Sequence, residues 1–412
     1  MARASRIQYV IITALLVETL CVTYALYIPS ATPVLSILHP VAGLTIAGCL
    51  LWMGSQDSQG HAPQAMGPFM KRYRWLLLGI ASFVICRLAM QSMIDEPIDY
   101  HSADMLPIIK IMNQRFWSGN WSRVYDPIPE IWDGVKPIYL PAMWMPFALP
   151  QAFGIDVRWL TVIVLLLTLM IFLWSLDLAS KKAWLVLLCG FLLFWWLFAD
   201  ENAGLFNFTE EGIIIFYYIL LTVALLKNKG WMIVVSASLC VFSRYALIGW
   251  LPAMMIYFAY CSEWKNLLRF AISGALFFIV LLLLPFGWKV IHDLLLLPGE
   301  YVAFTARVWN DAKHVFTEGV GVAKFFGASR IAELHYLLII LSLTVPSIVM
   351  FVLLRWSKKW SIPKQNIPLA VLKLALVIFF TFIDVPYLYL FYTSSFVSLI
   401  AVAVFLRKQP IQ

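Results

Sequence analysis

The chain has 412 residues, 62% of them hydrophobic and only 13% charged, about half the charged share of a soluble globular domain. A water-soluble fold could not hide that much apolar surface, so lipid is the expected solvent for most of the chain. The net charge of +8 does not point to a nucleic-acid partner, because the basic residues come in pairs and triplets between apolar runs rather than along one face.

In chain order, apolar runs of about 20 residues, the length that spans a bilayer, lie near 7–28, 33–53, 75–93, 157–178, 183–199, 208–226, 231–248, 249–262, 267–286, 335–354, 366–383 and 387–406. The expected fold is therefore an all-α polytopic membrane protein, a single transmembrane domain over 1–412 with about twelve transmembrane helices (roughly 11–13). The first run has no small-residue cleavage site after it and reads as a retained helix. The run at 249–262 is short and holds Pro252, which predicts a tilted or broken span. Segment 139–153, with Pro141, Pro146 and Pro150, reads as an interfacial or re-entrant piece. Cys21, Cys49, Cys86, Cys189, Cys240 and Cys261 lie in or at the ends of apolar runs, without metal or redox spacing, and read as small packing residues.

Charge orders these runs. With the N-terminus placed in the cytoplasm, the cytoplasmic connections hold Arg3, Arg6, Lys71, Arg72, Arg74, Lys181, Lys182, Lys227, Lys229, Lys265, Arg269, Arg355, Lys358, Lys359, Lys364, Arg407 and Lys408, which is 17 of the 30 basic residues. All but Glu18, Asp57, Asp177 and Glu263 of the 22 carboxylates fall on the other side. Both termini are thus expected to be cytoplasmic, in an inner or plasma membrane. Two external segments, 94–156 and 287–334, are too long for simple turns and too aromatic for disorder. Within the first, Met105, Ile108, Ile109, Met112 and Phe116 share one face at helical spacing, which predicts an amphipathic helix over 104–118 lying on the outer leaflet.

Chemistry-bearing side chains gather at the external helix ends. The third span runs into Asp95, Glu96, Asp99, His101 and Asp104; Lys136-Pro137 follows, and further along come Arg158, Asp200 to Asn202, Glu210 with Glu211, Arg244 with Tyr245, and Asp384. Each alone is commonly a solvated loop residue or an interfacial anchor, but together, on one side of a membrane, they would line a common cavity. No glycine-rich phosphate loop, Cys-x-x-Cys pair or His-Glu-x-x-His motif competes with them. The sequons at Asn120 and Asn207 read as chance.

The order Asp104, Gly119-Asn120-Trp121, Tyr125-Asp126-Pro127, Lys136-Pro137, Pro141 through Pro146 and Phe153-Gly154 resembles the GT-C superfamily of membrane glycosyltransferases. Its nearest patterns are those of the aminoarabinose transferases, the protein O-mannosyltransferases and the bacterial polyprenyl-phosphate-mannose-dependent mannosyltransferases. The resemblance covers roughly residues 95–160, and unlike the usual family pattern two spans precede the one that leads into this loop. It implies a GT-C-like fold and transfer of a mannose-like hexose or a pentose from a polyprenyl-phosphate donor to a lipid or glycan acceptor at the outer face, with inversion.

In that reading one carboxylate takes the acceptor's hydroxyl proton. Asp104 is the first choice, Asp99 the second and the acidic pair Asp95–Glu96 the third. Lys136, Arg244 and Arg158 are candidates to hold the donor phosphate. His101, Tyr125, Trp121, Glu210 and Glu211 are candidates for sugar or acceptor contacts, and a divalent cation such as Mg or Mn is a candidate cofactor. Two rivals remain, a secondary transporter or lipid-linked-sugar flippase, and an O-antigen-ligase-like glycan transferase. A non-catalytic scaffold is the bland alternative. For a transporter the relevant buried groups are Glu18, Arg87 and Lys373.

Overall fold

A computed structural model describes residues 2–53, 68–98, 105–131, 134–137, 139–199 and 205–408. The principal helices are α1 (Ala2–Tyr24), α2 (Thr32–Leu50), α3 (Pro68–Asp95), α4 (Met105–Trp117), α5 (Arg158–Ser175), α6 (Lys181–Ala199), α7 (Glu211–Leu226), α8 (Gly230–Val241), α9 (Trp250–Tyr260), α10 (Trp264–Phe278), α11 (Leu284–Asp311), α12 (Ile331–Trp356), α13 (Ile367–Phe382) and α14 (Leu390–Lys408). No strand occurs among the described residues, only an isolated antiparallel bridge between Ile128 and Val135. Helices satisfy their own backbone groups, which is what a chain this apolar requires in lipid.

Nine helical stretches among the described residues are long and apolar enough to cross a membrane: Arg6–Tyr27, Pro29–Leu50, Tyr73–Asp95, Arg158–Ser175, Lys181–Phe198, Trp264–His292, Ala328–Trp356, Lys364–Phe382 and Leu390–Arg407. Three shorter apolar helices, Glu211–Leu226, Gly230–Val241 and Tyr245–Tyr260, occupy three more of the twelve expected positions. The chain is thus a polytopic helical membrane protein. Helices α13 and α14 are the most enclosed, whereas α3 and α10 turn most of their apolar surface outward, as lipid-facing helices do. Pro40 sits inside α2 and Pro346 inside α12, a placement that membrane helices tolerate where neighbours re-satisfy the freed carbonyls.

Cross-helix contacts separate two ends of the bundle. At one, Arg74 donates to the Leu176 carbonyl and Lys182 to Gln8. Asn366 donates to the carbonyls of Leu51 (3.2 Å) and Met53 (2.6 Å), and Arg407 to that of Trp174 (3.1 Å). This is the end rich in lysine and arginine. At the opposite, polar end Arg158 reaches the Glu96 carbonyl (2.7 Å), the Ala142 amide donates to Phe242 (2.9 Å), and Thr32 donates to Thr317 (2.6 Å).

The segment 287–334, expected as a large loop, is helical through Asp311. A π-helical turn at Ile279–Leu283 joins α10 to α11, and Gly287, with φ of 68°, kinks α11 near its start; the positive φ suits glycine, which has no Cβ. Short helical turns at His314–Glu318 and Ala323–Phe326 follow. Val308, Phe316, Ala323, Leu334 and Val385 form a small hydrophobic core of their own, so this segment is a cap packed on the polar end. The cap touches the connection between α13 and α14 closely. The Val322 amide donates to Thr381 (2.9 Å), and a Cβ on Gly319 would lie 2.1 Å from the Pro386 carbonyl oxygen.

The stretch expected as an amphipathic helix over 104–118 is α4, with Met105, Ile108, Ile109 and Met112 buried. Segment 139–153 is a run of three short helical pieces, Pro141–Trp144, Met145–Phe147 and Ala148–Ala152.

A candidate polar site at one end of the bundle

The end of α3 is tied to the start of α5. Arg158, 1% exposed, forks onto the Asp156 carboxylate through Nε (3.1 and 3.2 Å) and Nη2 (2.7 Å). Its Nη1 donates to the Glu96 carbonyl (2.7 Å) and to Asn207 Oδ1 (3.1 Å), and Nη2 also reaches the Met93 carbonyl (3.4 Å). Asn207 in turn donates to the Glu96 carboxylate, and Ser92 donates to Asn207 Oδ1 (2.7 Å). Asp95 points outward and accepts from Gln91 (2.6 Å). A planar guanidinium meeting one carboxylate and three further oxygens is a joint between helices, with its charge already matched by Asp156.

Three residues on from Asn207, Glu210 and Glu211 open α7. Arg244, in extended conformation after α8, lies between them, 2.9 Å from Glu210 Oε1 and 2.5 Å from Glu211 Oε2. Thr393 at the start of α14 donates to the other Glu211 oxygen. Two carboxylates thus share one guanidinium in this buried group. Sequence reasoning placed Arg158 and Arg244 as phosphate holders; in the structure each is committed to carboxylates.

The loop after α4 is organised by Arg115, which donates to the carbonyls of Arg123 (3.0 Å), Asp126 (2.6 Å) and Pro127 (3.0 Å). Trp121 stacks on Phe116 with centroids 5.6 Å apart and stays half-exposed. Tyr125 is buried: its hydroxyl donates to the Tyr139 carbonyl (3.1 Å) and accepts from Trp144 Nε1 (3.1 Å), and its ring meets Phe286 edge-on. A sugar could stack on Trp121 as it stands but not on Tyr125. Lys136 is half-buried just after the Val135 bridge. Asp99, His101 and Asp104 lie outside the described residues, as does the run from Asp200 to Asn202. Among the described residues no group of three or more His, Cys, Asp and Glu side chains is arranged to hold a metal ion.

One arrangement escaped sequence reasoning. His335 in the first turns of α12 places Nδ1 2.5 Å from Asp384 Oδ2, just after α13. Both residues are buried, and His335 Nε2, Asp384 Oδ1 and Thr381 Oγ1 have no partner. Tyr301 of the cap lies against the histidine ring, centroids 6.5 Å apart. Burial, then Asp384 and Tyr387, hold the Tyr301 phenol well above its ordinary range, with Arg244 opposing. The only sequence signal was a histidine and an acid at the same end of two neighbouring spans.

Comparison of the chain with protein-family models, with curated proteins and with solved structures finds no match.

Proposed function

We propose that this protein is a membrane glycosyltransferase that moves a sugar from a polyprenyl-phosphate donor to a hydroxyl-bearing lipid or glycan acceptor. The observation that carries this reading is the gathering of Glu96, Arg158, Glu210, Glu211, Arg244, His335 and Asp384 from six helices or their flanking turns at the one polar end of the bundle. A lipid-linked donor lies in the bilayer while its sugar lies at the boundary, so transfer chemistry belongs where spans meet a polar surface. The loop that resembles the GT-C pattern returns to that end, since the Ala142 amide bonds the Phe242 carbonyl at the end of α8 (2.9 Å). The cap over the polar end would keep water from competing with the acceptor. GT-C membership, an extracytoplasmic site and the choice of sugar are parts of the same proposal.

The test is incubation of protein-containing membranes with a panel of labelled polyprenyl-phosphate mannose, glucose and pentose donors, followed by mass analysis of the products. At least one donor is expected to yield a glycosylated product that membranes without the protein do not make. Unchanged donor across the panel would rule the reading out.

A second reading, a secondary transporter or lipid flippase, is favoured by one observation. Lys373 of α13 pairs with Glu18 of α1 and donates to Ser394 Oγ (2.7 Å) and carbonyl (3.1 Å), with His39 of α2 3.8 Å from the same carboxylate, all fully buried. Ionisable groups deep in a membrane bundle commonly serve ion or proton movement. Flux measured in proteoliposomes separates the two readings.

A further inference from the structure

At the polar end His335 and Asp384 form a buried pair arranged as in a general base. The Asp384 carboxylate faces His335 Nδ1 at 2.5 Å. A carboxylate there favours the tautomer with the proton on Nδ1, which leaves the Nε2 lone pair bare. That lone pair is buried and has no partner, and Asp384 Oδ1 and Thr381 Oγ1 nearby in the chain are likewise unsatisfied. Buried polar atoms are nearly always bonded, so a bare Nε2 paired with a carboxylate that is itself half unsatisfied marks a place for a polar guest.

The pair is also held stiffly. Gly319 and Gly321 of the cap press against Pro386, where a Cβ would fall 2.1 Å from its carbonyl oxygen and 2.7 Å from its Cβ, respectively. Val322 bonds the Thr381 carbonyl, and Leu334 and Val385, the chain neighbours of the pair, belong to one small core. A base whose flanking segments are held by packing is suited to proton transfer, which needs fixed geometry.

We propose that His335 is the catalytic base and Asp384 its positioning residue. This rests on the glycosyltransferase reading and assigns to His335 the task for which the family resemblance makes Asp104 the first choice. The acceptor's oxygen forms its bond to the anomeric carbon as the O–H proton passes to Nε2. The bond from that carbon to the donor phosphate breaks, and its electron pair leaves with the phosphate oxygen. The ligand class at Nε2 is a hydroxyl-bearing acceptor, met in a site shielded from bulk water.

Two measurements on the full-length protein in lipid nanodiscs test this. The first is the ring-nitrogen spectrum of protein labelled with nitrogen-15 histidine, with the His335 signal identified by its loss in His335→Gln. Nδ1 is expected to carry the proton and Nε2 to be bare, and Asp384→Asn is expected to lose that preference. A proton on Nε2 in the parent protein overturns the proposal whatever the enzyme transfers.

The second is turnover with the active donor from the panel. His335→Gly should lower kcat by about 10²–10⁴-fold with KM little changed, and added imidazole should restore part of it. Asp384→Glu should retain more activity than Asp384→Asn. If His335→Gly turns over normally while Asp104→Asn abolishes transfer, the base is Asp104 and the proposal fails with the transferase reading intact. If no donor is turned over but the tautomer is as expected, the transferase reading fails, and the catalytic assignment with it.

Discussion

Lys373 and Glu18 show at the residue scale why an ion pair inside a membrane protein is not ordinary glue. Both side chains are wholly buried and meet each other with Ser394 as third partner, while Glu18 Oε2 and both His39 nitrogens make no hydrogen bond. Removing one partner leaves an uncompensated buried charge, worth about 3–5 kcal/mol, whereas replacing both by apolar groups of like volume can be nearly neutral. Lys373→Met alone should therefore destabilise the protein by that amount, and Glu18→Leu with Lys373→Met should recover most of the loss, both read from thermal unfolding in one detergent. Equal losses in the single and double variants would mean that the pair is not coupled. The charges were legible in the sequence as the rare ionisable residues of apolar runs. Their pairing was not, because the partners stand 355 positions apart.

At the scale of elements, the cap over the polar end depends on glycines. Gly319 lets the backbone approach Pro386 to a distance that no side chain allows, so the short turns His314–Glu318 and Ala323–Phe326 seat on the connection after α13. Gly319→Ala must push against backbone rather than a flexible side chain, and overpacking of this kind costs about 1–3 kcal/mol. The variant should keep its helix content yet become cleavable within residues 312–330 by a protease that leaves the parent protein intact. Resistance equal to the parent's would show that the cap tolerates the displacement. The aromatic residues of 287–334 mark it as ordered, but nothing in them reveals that the chain continues from α10 into α11 and kinks there at Gly287. A helix that bends and one that stops are alike in hydropathy. The helix α4 was foreseeable, because its apolar face repeats at helical spacing. The arginine joints were not: Arg158 and Arg244 look from sequence like free cations at helix ends, and only packing brings Asp156, Glu210 and Glu211 onto them.

For the whole molecule, the division into a basic end and a carboxylate-rich end gives a prediction about orientation. If lysine and arginine retain the helix ends on the cytoplasmic side, Lys227→Cys should react with a membrane-impermeant maleimide only after cells are permeabilised, and Ser118→Cys should react in intact cells. Both positions are exposed. The reverse pattern would place the polar end inside and remove the outer-face part of the proposed function.

Composition and order alone determined that the chain lives in lipid, that it does so as helices, where the apolar runs lie and how charge is sorted between their ends. Hydropathy and charge act on each segment separately, through its own exchange between water and bilayer, so they can be read locally. Tertiary structure decided which polar side chains meet: His335 with Asp384 across 49 positions, Thr393 with Glu211 across 182, Arg244 with Glu211 across 33. Such meetings depend on how helices rotate and cross against one another. That is settled by side-chain packing between segments distant in the chain, and no property of a single segment records it.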